Sequence, residues 1–349
     1  MTEYAWFGAL CDDDYEFLGV PDPALRSSWA HCREIVLRAE RNGFDNVLLP
    51  SGYSLGIDAT AFASAIAVET TRIKLLLAVR LGELVVPQLA RQIATLQQIA
   101  GGRLVINAIS SDLPGETMSS EDRYQRTTEA IAVLRTLLRG ERADFDGKFV
   151  STHLDPPRIA VEQPHDPVIY FGGLSEAARD CAAQSSDVYL MWPDTTAQMS
   201  NVMREMNQRA AAYGRTLRYG WRSHVIVRET ESEARAAAER LLSRLDAETG
   251  SVIRAKSLDS KSAGVARQSE LREAADADGY LERHLWTGVG RARSGAGIAI
   301  VGDPDQVAGK LREIRNAGVD TFILSGYPHL AECDLVAKYV LPRLQLANS

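Results

Sequence analysis

The sequence predicts a (β/α)8 TIM barrel with insertions, and two observations predict it. Short apolar runs typical of strands alternate with longer amphipathic stretches typical of helices through most of the 349 residues. The first run, Tyr4–Leu10, is followed by the acidic Asp12–Asp14, whereas the first strand of a doubly wound open sheet is normally followed by a glycine-rich turn. Strands and helices in strict alternation are typical of a closed parallel sheet, so the barrel is favoured over the open sheet.

The predicted strands are short and rich in large apolar residues. They are Tyr4–Leu10, Asn46–Leu49, Ile73–Val79, Leu104–Ile109, Val168–Phe171, Val188–Leu190, His224–Val227 and Thr321–Leu324. The predicted helices show apolar residues at helical spacing. They are Ser27–Asn42, Asp58–Glu69, Pro87–Ala100, Glu121–Leu138, Ser175–Gln184, Thr196–Tyr213, Glu231–Leu245 and Pro304–Asn316. Glycines such as Gly140 and Gly214 stand where these helices are expected to end.

We expect a single domain over residues 1–349, with two segments that interrupt the alternation. Arg142–Val161 contains turn residues and the pair Pro156-Pro157, and it is interpreted as an insertion or hairpin. Gly250–Tyr280 is polar and poor in large apolar residues. Such a long stretch within a barrel is typical of a linker or a functional lid, although its alanines and charges also fit a surface helix. Because it precedes the polar Arg293 segment, we predict a mobile lid over residues 250–285.

Composition and charge narrow the function class. Hydrophobic residues make up 45% and charged residues 24% of the chain, as in an ordinary enzyme. A net charge of -7 argues against nucleic acid as a partner. The four cysteines are widely scattered and the histidines lack metal-ligand spacing, so neither a disulfide framework nor a metal site is predicted. The sequence has no signal peptide and no apolar run of about 18 residues, and we therefore predict a cytoplasmic protein without a membrane partner.

Polar side chains near the last strands form the first candidate site. Arg222 and His224 are two residues apart, so on a strand their side chains share a face. Arg293 and Tyr327 belong to polar stretches that lead into or follow later strands. Two guanidiniums, an imidazole and a phenol would bind an oxyanion if they converge. A structural ion pair at the barrel end is the alternative, and both residues of the first pair precede the apolar Val225–Val227, whereas barrel sites normally follow their strands.

Other strand ends carry further candidates. Gly172, Gly173 and Ser175 follow the fifth strand and open a helix, an arrangement that suits a phosphate, although a serine N-cap alone is the ordinary alternative. Asn107 ends the fourth strand and can bind the polar edge of a ring or simply start a turn. Trp192 can form an aromatic wall after the sixth strand.

Arg80 ends the third strand, where it can bind a substrate or neutralise nearby acids. The nucleophile elbow G-x-S-x-G, the Walker loop and the H-E-x-x-H motif are absent from the sequence. Gly288-Val289-Gly290 begins a dinucleotide-like pattern without its third glycine, so a Rossmann site is not favoured.

Several blocks in the same order resemble the bacterial luciferase-like flavin monooxygenases, most closely the FMNH2-dependent alkanesulfonate monooxygenases. The resemblance runs from Trp6-Phe7 to Pro342. Its most specific blocks are His224–Thr230, Leu285–Gly290, Arg293–Gly297, Val301–Asp303 and Leu324–Leu330, with Tyr170–Gly173, Asp144–Lys148 and Arg123-Tyr124 in agreement.

The resemblance implies a luciferase-like barrel that takes reduced FMN from a separate NAD(P)H:FMN reductase and uses O2 to split the C–S bond of an organosulfonate into sulfite and an aldehyde. It also implies a homo-oligomer, a dimer or tetramer. By this resemblance, Gly172, Gly173 and Ser175 hold the FMN phosphate, and Asn107 and Tyr124 line the flavin. The residues implied to bind the sulfonate and act in catalysis are Trp192, Arg222, His224, Arg293 and Tyr327, with Arg293 on the mobile segment.

Departures from the family pattern lie around the part of the site that faces the rest of the substrate. The acidic run Cys11–Asp14 replaces a histidine, Leu55 replaces a cysteine, Ser120 replaces a histidine, and the loop Ser111–Asp122 is short. We therefore expect an organosulfonate other than a simple linear alkanesulfonate. Two alternatives stay open: a luciferase-like monooxygenase or deazaflavin-dependent oxidoreductase for another sulfur or nitrogen compound, and a non-catalytic flavin-binding barrel.

Overall fold

The computed structural model describes residues 2–54, 56–255 and 262–345. Its strands in chain order are β1 (Glu3–Phe7), β2 (Asn46–Leu49), β3 (Lys74–Arg80), β4 (Leu104–Ile109), β5 (Ala143–Asp146), β6 (Ser151–Leu154), β7 (Ile169–Phe171), β8 (Val188–Met191), β9 (Arg218–Val227), β10 (Tyr280–Glu282), β11 (Leu285–Trp286), β12 (Ala299–Gly302) and β13 (Thr321–Ser325).

The helices begin mostly at Ser, Thr or Asp residues whose side chains accept from the first turn. They are α1 (Trp29–Arg41), α2 (Ala59–Ile66), α3 (Val86–Ile99), α4 (Ser120–Leu138), α5 (Arg158–Glu162), α6 (Glu176–Ser185), α7 (Thr196–Ala212), α8 (Glu231–Leu242), α9 (Ala247–Ala255), α10 (Ala263–Glu273), α11 (Pro304–Asn316), α12 (His329–Tyr339) and α13 (Leu341–Gln345).

Eight parallel strands close into a barrel in the order β1, β2, β3, β4, β7, β8, β9 and β13. The β8–β9 pairing and the β13–β1 pairing complete the circle. The predicted (β/α)8 barrel is therefore confirmed, and each predicted strand lies on one of these eight. The final barrel helix is α12, which follows β13; the predicted helices Glu231–Leu245 and Pro304–Asn316 correspond instead to α8 and α11.

Apolar side chains fill the barrel interior below the carboxyl ends of the strands. One buried cluster takes a residue from nearly every strand: Ala5, Leu48, Leu76, Val105, Tyr170, Val188 and Ile323. The Tyr170 hydroxyl lies 3.1 Å from Thr321 Oγ1 across the barrel, which satisfies both polar groups in this apolar layer. The interior is thus closed at the bottom, and space for a ligand remains at the top.

Strand β9 is longer than predicted, because it begins at Arg218 rather than at His224. Its first half pairs with β8, and residues from His224 onward pair with β12. His224 also pairs with Ser325, the last residue of β13. Arg222 and His224 therefore lie at the carboxyl end of the barrel, and Val225–Val227 continue beyond it. The apparent conflict with the usual position of barrel sites is removed.

The two interrupting segments contain regular elements. Residues 143–154 form the antiparallel pair β5–β6. Residues 247–273 carry α9 and α10, with the intervening residues 256–261 outside the described part. The chain then forms the antiparallel ribbon β10–β11–β12 and rejoins the barrel through β9. Among the described helices, none is long and apolar enough to cross a membrane.

Candidate active site

A cavity of about 250 Å³ opens at the carboxyl ends of the barrel strands. Its walls combine inward-facing residues at strand ends with loop residues. They are Phe7, Leu48, Arg80, Asn107, Leu190, Arg222 and His224 from the strands, Ile253 from α9, and Trp192 and residues 11–12, 50–54 and 292–296 from the loops. This position is the one that barrel enzymes use for catalysis.

Arg222 and His224 occupy the β9 side of the cavity and are buried. Arg222 lies with its guanidinium carbon 4.3 Å from the centre of the Phe7 ring, and its Nη1 donates to the Ser223 carbonyl at 2.8 Å. Burial lowers the Arg222 pKa to about 10, so the side chain keeps its charge near neutral pH. The remaining guanidinium donors make this wall suited to an anion.

His224 is held in place by the end of β13. Its Nδ1 lies 2.7 Å from the Ser325 hydroxyl, and its ring is stacked on Tyr327 at 5.3 Å and 24°. Burial, together with the nearby charge of Arg222, lowers the pKa of His224 well below its ordinary value. His224 is therefore a neutral imidazole near pH 7, which can exchange hydrogen bonds with a ligand without adding charge.

Tyr327 lies behind His224, and its phenol is buried. Burial raises the pKa of Tyr327, against the lowering effect of Arg293 and Arg222. The phenol consequently keeps its proton and can act as a hydrogen-bond donor at neutral pH. The Arg293 guanidinium lies 6.0 Å from the Tyr327 ring, so Arg222, His224, Arg293 and Tyr327 form one group.

Arg293 is paired with Asp12 across the cavity. Asp12 Oδ1 also accepts from the Asp13 N–H at 2.8 Å and the Tyr15 hydroxyl at 3.3 Å. Asp12 is thus the member of the acidic run that lines the cavity. Asp13 instead accepts from the Ser27 N–H at 2.8 Å and supports the loop.

Asp14 lies beneath the site between two histidines. Its Oδ2 is 3.0 Å from His31 Nε2, and its Oδ1 is 2.8 Å from His329 Nδ1. Burial alone would raise the pKa of Asp14, but His329 and His31 lower it further than burial raises it, so the carboxyl is ionised. Because His329 begins α12 two residues after Tyr327, Asp14 fixes the turn that carries the phenol. The acidic run therefore contributes one cavity residue and two supporting residues.

The residues predicted to bind FMN divide into two groups. Asn107 lines the cavity. Tyr124, Gly172, Gly173 and Ser175 lie instead around the start of α6, where Tyr124 packs against Phe171 with ring centres 6.1 Å apart. The structure therefore does not bring all five into one cavity.

The turn at the start of α6 needs its two glycines. A Cβ on Gly172 would lie 2.4 Å from the Leu190 carbonyl oxygen, and one on Gly173, whose φ is +155°, would lie 2.6 Å from the Ala178 Cβ. Ser175 is the N-cap, and its hydroxyl accepts from the Ala178 N–H at 3.3 Å. This capping role was the ordinary alternative, and it is compatible with an anion at the helix start.

Arg80 also lines the cavity. Its position in the sequence is compatible either with binding a substrate or with neutralising nearby acids. It faces inward two residues beyond Ala78, which pairs in register with Asn107. It is 4% exposed, and its Nη1 has no hydrogen-bond partner in the described part of the chain. An arginine at the end of an apolar strand was the available signal, but sequence alone does not show whether acids nearby satisfy it.

Residues where the sequence departs from the family pattern were expected to face the rest of the substrate, and only some of them can be placed. Leu55 lies outside the described residues. Ser120 is the first residue of α4, and the loop before it is tied by the 2.8 Å Arg123–Asp112 ion pair. Ser120 does not line the cavity, whereas Ser51, Tyr53 and Ser54 of the β2–α2 loop do.

Helix α10 packs on the loop that carries Trp192. A Cβ on Gly264 would lie 2.9 Å from the Trp192 ring, so the helix contacts the indole closely. Arg267 binds Asp194 through Nε at 2.7 Å and Nη2 at 3.0 Å. Gln268 donates to the Pro193 carbonyl at 2.7 Å and accepts from the Gly297 N–H at 3.2 Å. The helix therefore joins the β8 loop to the segment that carries Arg293.

No group of three or more metal-ligating side chains occurs within residues 2–54, 56–255 and 262–345. The polar groups of the cavity include three guanidiniums, several hydroxyls, an amide, an imidazole and one carboxylate, a set suited to an oxyanion with polar substituents.

Comparison with known proteins gives the class of this chain. The family model for luciferase-like monooxygenases matches residues 17–321. The chain therefore belongs to the luciferase-like monooxygenase family, and the resemblance inferred from the sequence is confirmed.

Two related proteins and two solved structures are similar to this chain. The chain is 62% identical to sulfoquinovose monooxygenase of Novosphingobium aromaticivorans, over 98% of this chain and 96% of that one. It is 47% identical to sulfoquinovose monooxygenase of Agrobacterium fabrum, over 99% and 91%. Riboflavin lyase, solved with a modified FMN, has a TM-score of 0.80 at 15% identity over 100% and 92%. Long-chain alkane monooxygenase has a TM-score of 0.76 at 17% identity over 99% and 92%. The two structures support the fold.

Proposed function

We propose that this chain is a two-component, FMNH2-dependent monooxygenase that cleaves the C–S bond of a sugar sulfonate, with sulfoquinovose as the substrate. A separate NAD(P)H:FMN reductase supplies the reduced flavin. The products are sulfite and an aldehyde, and O2 provides the oxygen atom. The observation that carries this proposal is the cluster of Arg222, neutral His224 and Arg293 on the cavity wall, with the protonated Tyr327 packed behind His224.

The cluster suits a sulfonate for chemical reasons. Arginine offers parallel donors to the oxygens of a tetrahedral anion and keeps its charge at any relevant pH. Arg222 is fixed against Phe7, whereas Arg293 is shared with Asp12, so the second arginine is the one that can turn toward a bound anion. His224 and Tyr327 add neutral hydrogen-bonding groups, which orient the sulfonate and the adjoining carbon.

The rest of the cavity supports a polyol rather than an alkyl chain. Asp12, Ser51, Ser54 and Asn107 place a carboxylate, hydroxyls and an amide on the walls. A sugar offers hydroxyl groups that pair with such side chains, whereas an alkyl chain would leave them desolvated without partners. The names of the two relatives agree with this substrate.

The residues present also fit a flavin. The two glycines before α6 allow the tight turn there, because a Cβ on either would clash with Leu190 or Ala178. The helix start next to them favours a phosphate. Gly172, Gly173, Ser175 and Tyr124 would hold this end, while Asn107 would contact the ring. The flavin, when bound and reduced, supplies the electrons that activate O2. The cavity of about 250 Å³ is below the roughly 300–1,000 Å³ of drug-sized ligand pockets, so we expect residues 250–285 to move as a lid when both ligands enter.

The test measures sulfite release with FMN, a flavin reductase and NADH over sulfoquinovose and several linear alkanesulfonates. We expect sulfite from sulfoquinovose at a rate well above the reductase-only control, and much less from the alkanesulfonates. Absence of sulfite with every sulfonate would reject desulfonation. A clear preference for linear alkanesulfonates would reject the sugar assignment.

A matched pair of variants on β9 tests the anion cluster. Arg222→Ala removes the buried guanidinium and should lower sulfite release by about a hundredfold or more. Arg218→Ala removes an exposed arginine at the start of the same strand and should retain nearly full activity. Equal activities in the two variants would show that Arg222 does not bind the substrate.

A further inference from the structure

Arg80 has hydrogen-bonding capacity that the protein does not use. The side chain is buried at the cavity wall, and its Nη1 has no partner in the described part of the chain. Nε lies 3.2 Å from Glu83 Oε1, but the contact lacks hydrogen-bond geometry. A buried guanidinium with an unused donor is unfavourable unless a ligand accepts from it.

The barrel order separates Arg80 from the sulfonate cluster. Strand β3 is four strands away from β9 in either direction around the closed sheet, so Arg80 lies across the cavity from Arg222. On the adjacent strand β4, Asn107 pairs with Ala78, two residues before Arg80 on the same face, and the next strand, β7, leads into Gly172 and Gly173. Arg80 therefore belongs to the half of the cavity that the proposed function gives to the flavin.

We infer that Arg80 binds the polar edge of the reduced isoalloxazine ring and favours reduced over oxidised flavin. This inference rests on the proposed function, because it takes FMN as the cofactor. Reduced flavin loses the N1 proton near neutral pH, and the negative charge is shared by N1 and the C2 carbonyl oxygen. Oxidised flavin is neutral at this edge. A fixed guanidinium therefore stabilises the reduced ring selectively.

Such selectivity fits a chain that takes reduced flavin from another protein. Preferential binding of the anion lets FMNH2 enter while oxidised FMN leaves. The positive charge that selects the anion has to be in place before the flavin binds. Arg80 provides this charge at the end of β3, whose position is fixed by the barrel sheet.

The experiment compares dissociation constants for the two flavin states without substrate. Oxidised FMN is titrated by its fluorescence, and chemically reduced FMN is titrated anaerobically by quenching of protein tryptophan fluorescence. We expect Arg80→Met to raise the dissociation constant of reduced FMN by about tenfold to a hundredfold relative to that of oxidised FMN. Arg80→Lys should keep part of the preference for reduced FMN. Arg91→Met, which replaces an exposed arginine of α3, should keep all of it.

A second variant separates flavin binding from a structural ion pair. Glu83→Gln removes the neighbouring carboxylate and should maintain or increase the preference for reduced FMN. If Arg80 serves only to pair with Glu83, both variants will lose thermal stability and neither will change the ratio of the two constants. The inference would be overturned if Arg80→Met leaves the ratio of the two FMN dissociation constants unchanged, or if Arg80→Met loses inorganic sulfate binding instead of the flavin preference.

The result does not depend on the sulfonate substrate. If no sulfonate yields sulfite but Arg80→Met loses the preference for reduced FMN, the desulfonation proposal fails and the role of Arg80 stands. If sulfite is released from sulfoquinovose but the ratio of the two dissociation constants is unchanged in Arg80→Met, the desulfonation proposal stands and the role of Arg80 fails.

Discussion

Asp12 shows how a single substitution in the family pattern changes the site. It places a carboxylate against Arg293, one of the two arginines proposed to bind the sulfonate. A bound anion has to share this guanidinium with Asp12 or displace the carboxylate. The same carboxylate can accept hydrogen bonds from sugar hydroxyls, so under the proposed function we expect Asp12 to favour polyol sulfonates over small anions.

Neutralising this carboxylate should increase the affinity for a simple anion. We expect Asp12→Asn to bind inorganic sulfate about tenfold more tightly, the equivalent of roughly 1.4 kcal/mol, because Arg293 no longer has a charged competitor. Isothermal titration calorimetry at constant ionic strength measures the effect. Asp13→Asn, which changes a carboxylate away from the cavity wall, is the control, and equal affinities in both variants would contradict this account.

At the level of single residues, the sequence predicted the identities in the anion cluster but not their electrostatic state. Arg222 and His224 were identified from their spacing, whereas the neutral state of His224 depends on burial and on the charge of Arg222. The roles of Asp12–Asp14 were also beyond prediction, because three adjacent aspartates in a loop contact three different partners. Only the fold decides which of them reaches the cavity.

Among the elements, α10 is the one that connects the two sides of the site. It packs on Trp192 and is tied to Asp194 by Arg267 and to Gly297 by Gln268. Under the proposed function, α10 would act as part of a lid that keeps water from the reacting groups and limits loss of reducing equivalents to hydrogen peroxide.

Loosening this helix should uncouple flavin oxidation from product formation. We expect Arg267→Ala to raise the ratio of hydrogen peroxide to sulfite severalfold, with a smaller effect on the amount of reduced FMN bound. Peroxide and sulfite are quantified in the same reaction. Glu270→Ala on the same helix removes an exposed partner of Arg267 but leaves the Asp194 pair, and its ratio should stay near wild type. A normal ratio in Arg267→Ala would argue against a lid.

The elements were largely predictable because the strands of the barrel are apolar and the helices between them have capping residues. The start of β9 was not, since Arg218, Gly220 and Arg222 interrupt the apolar pattern that marks a strand. Those residues are accommodated by pairing with β8 and β13, which is a tertiary effect. For Gly250–Tyr280 the sequence left a linker or lid and a surface helix as alternatives, and the described residues of this segment contain α9 and α10. The choice was open because short side chains and scattered charges occur in both loops and surface helices.

For the whole molecule, buried ionisable groups make stability depend on pH. His224 has a pKa lowered below 6.5 in the folded chain, so below that pH the unfolded chain binds a proton that the folded chain excludes. Stability is therefore lost as pH falls below 6.5. Asp14 has a pKa lowered below 3.8, so the stability that it provides is present above that pH and is lost only in stronger acid.

The His224 contribution can be isolated by substitution. Between about pH 7.5 and about pH 5, the free energy of unfolding of the wild type should fall by roughly 2 kcal/mol more than that of His224→Asn. Urea denaturation at the two pH values measures the difference, and histidines common to both proteins cancel. Equal falls in the two proteins would mean that His224 is protonated in the folded state.

The shared strand β9 also constrains how the chain folds. The hydrogen bond between His224 and Ser325 joins residues 101 positions apart, and His224 pairs at the same time with β12. Closing such long loops costs chain entropy before any contact compensates for it. We therefore expect the residues around His224 to come together late, when β13 docks and the chain between β9 and β13 has returned to the barrel. If the proposed ligands bind at this site, gain of ligand binding during refolding should report completion of the barrel.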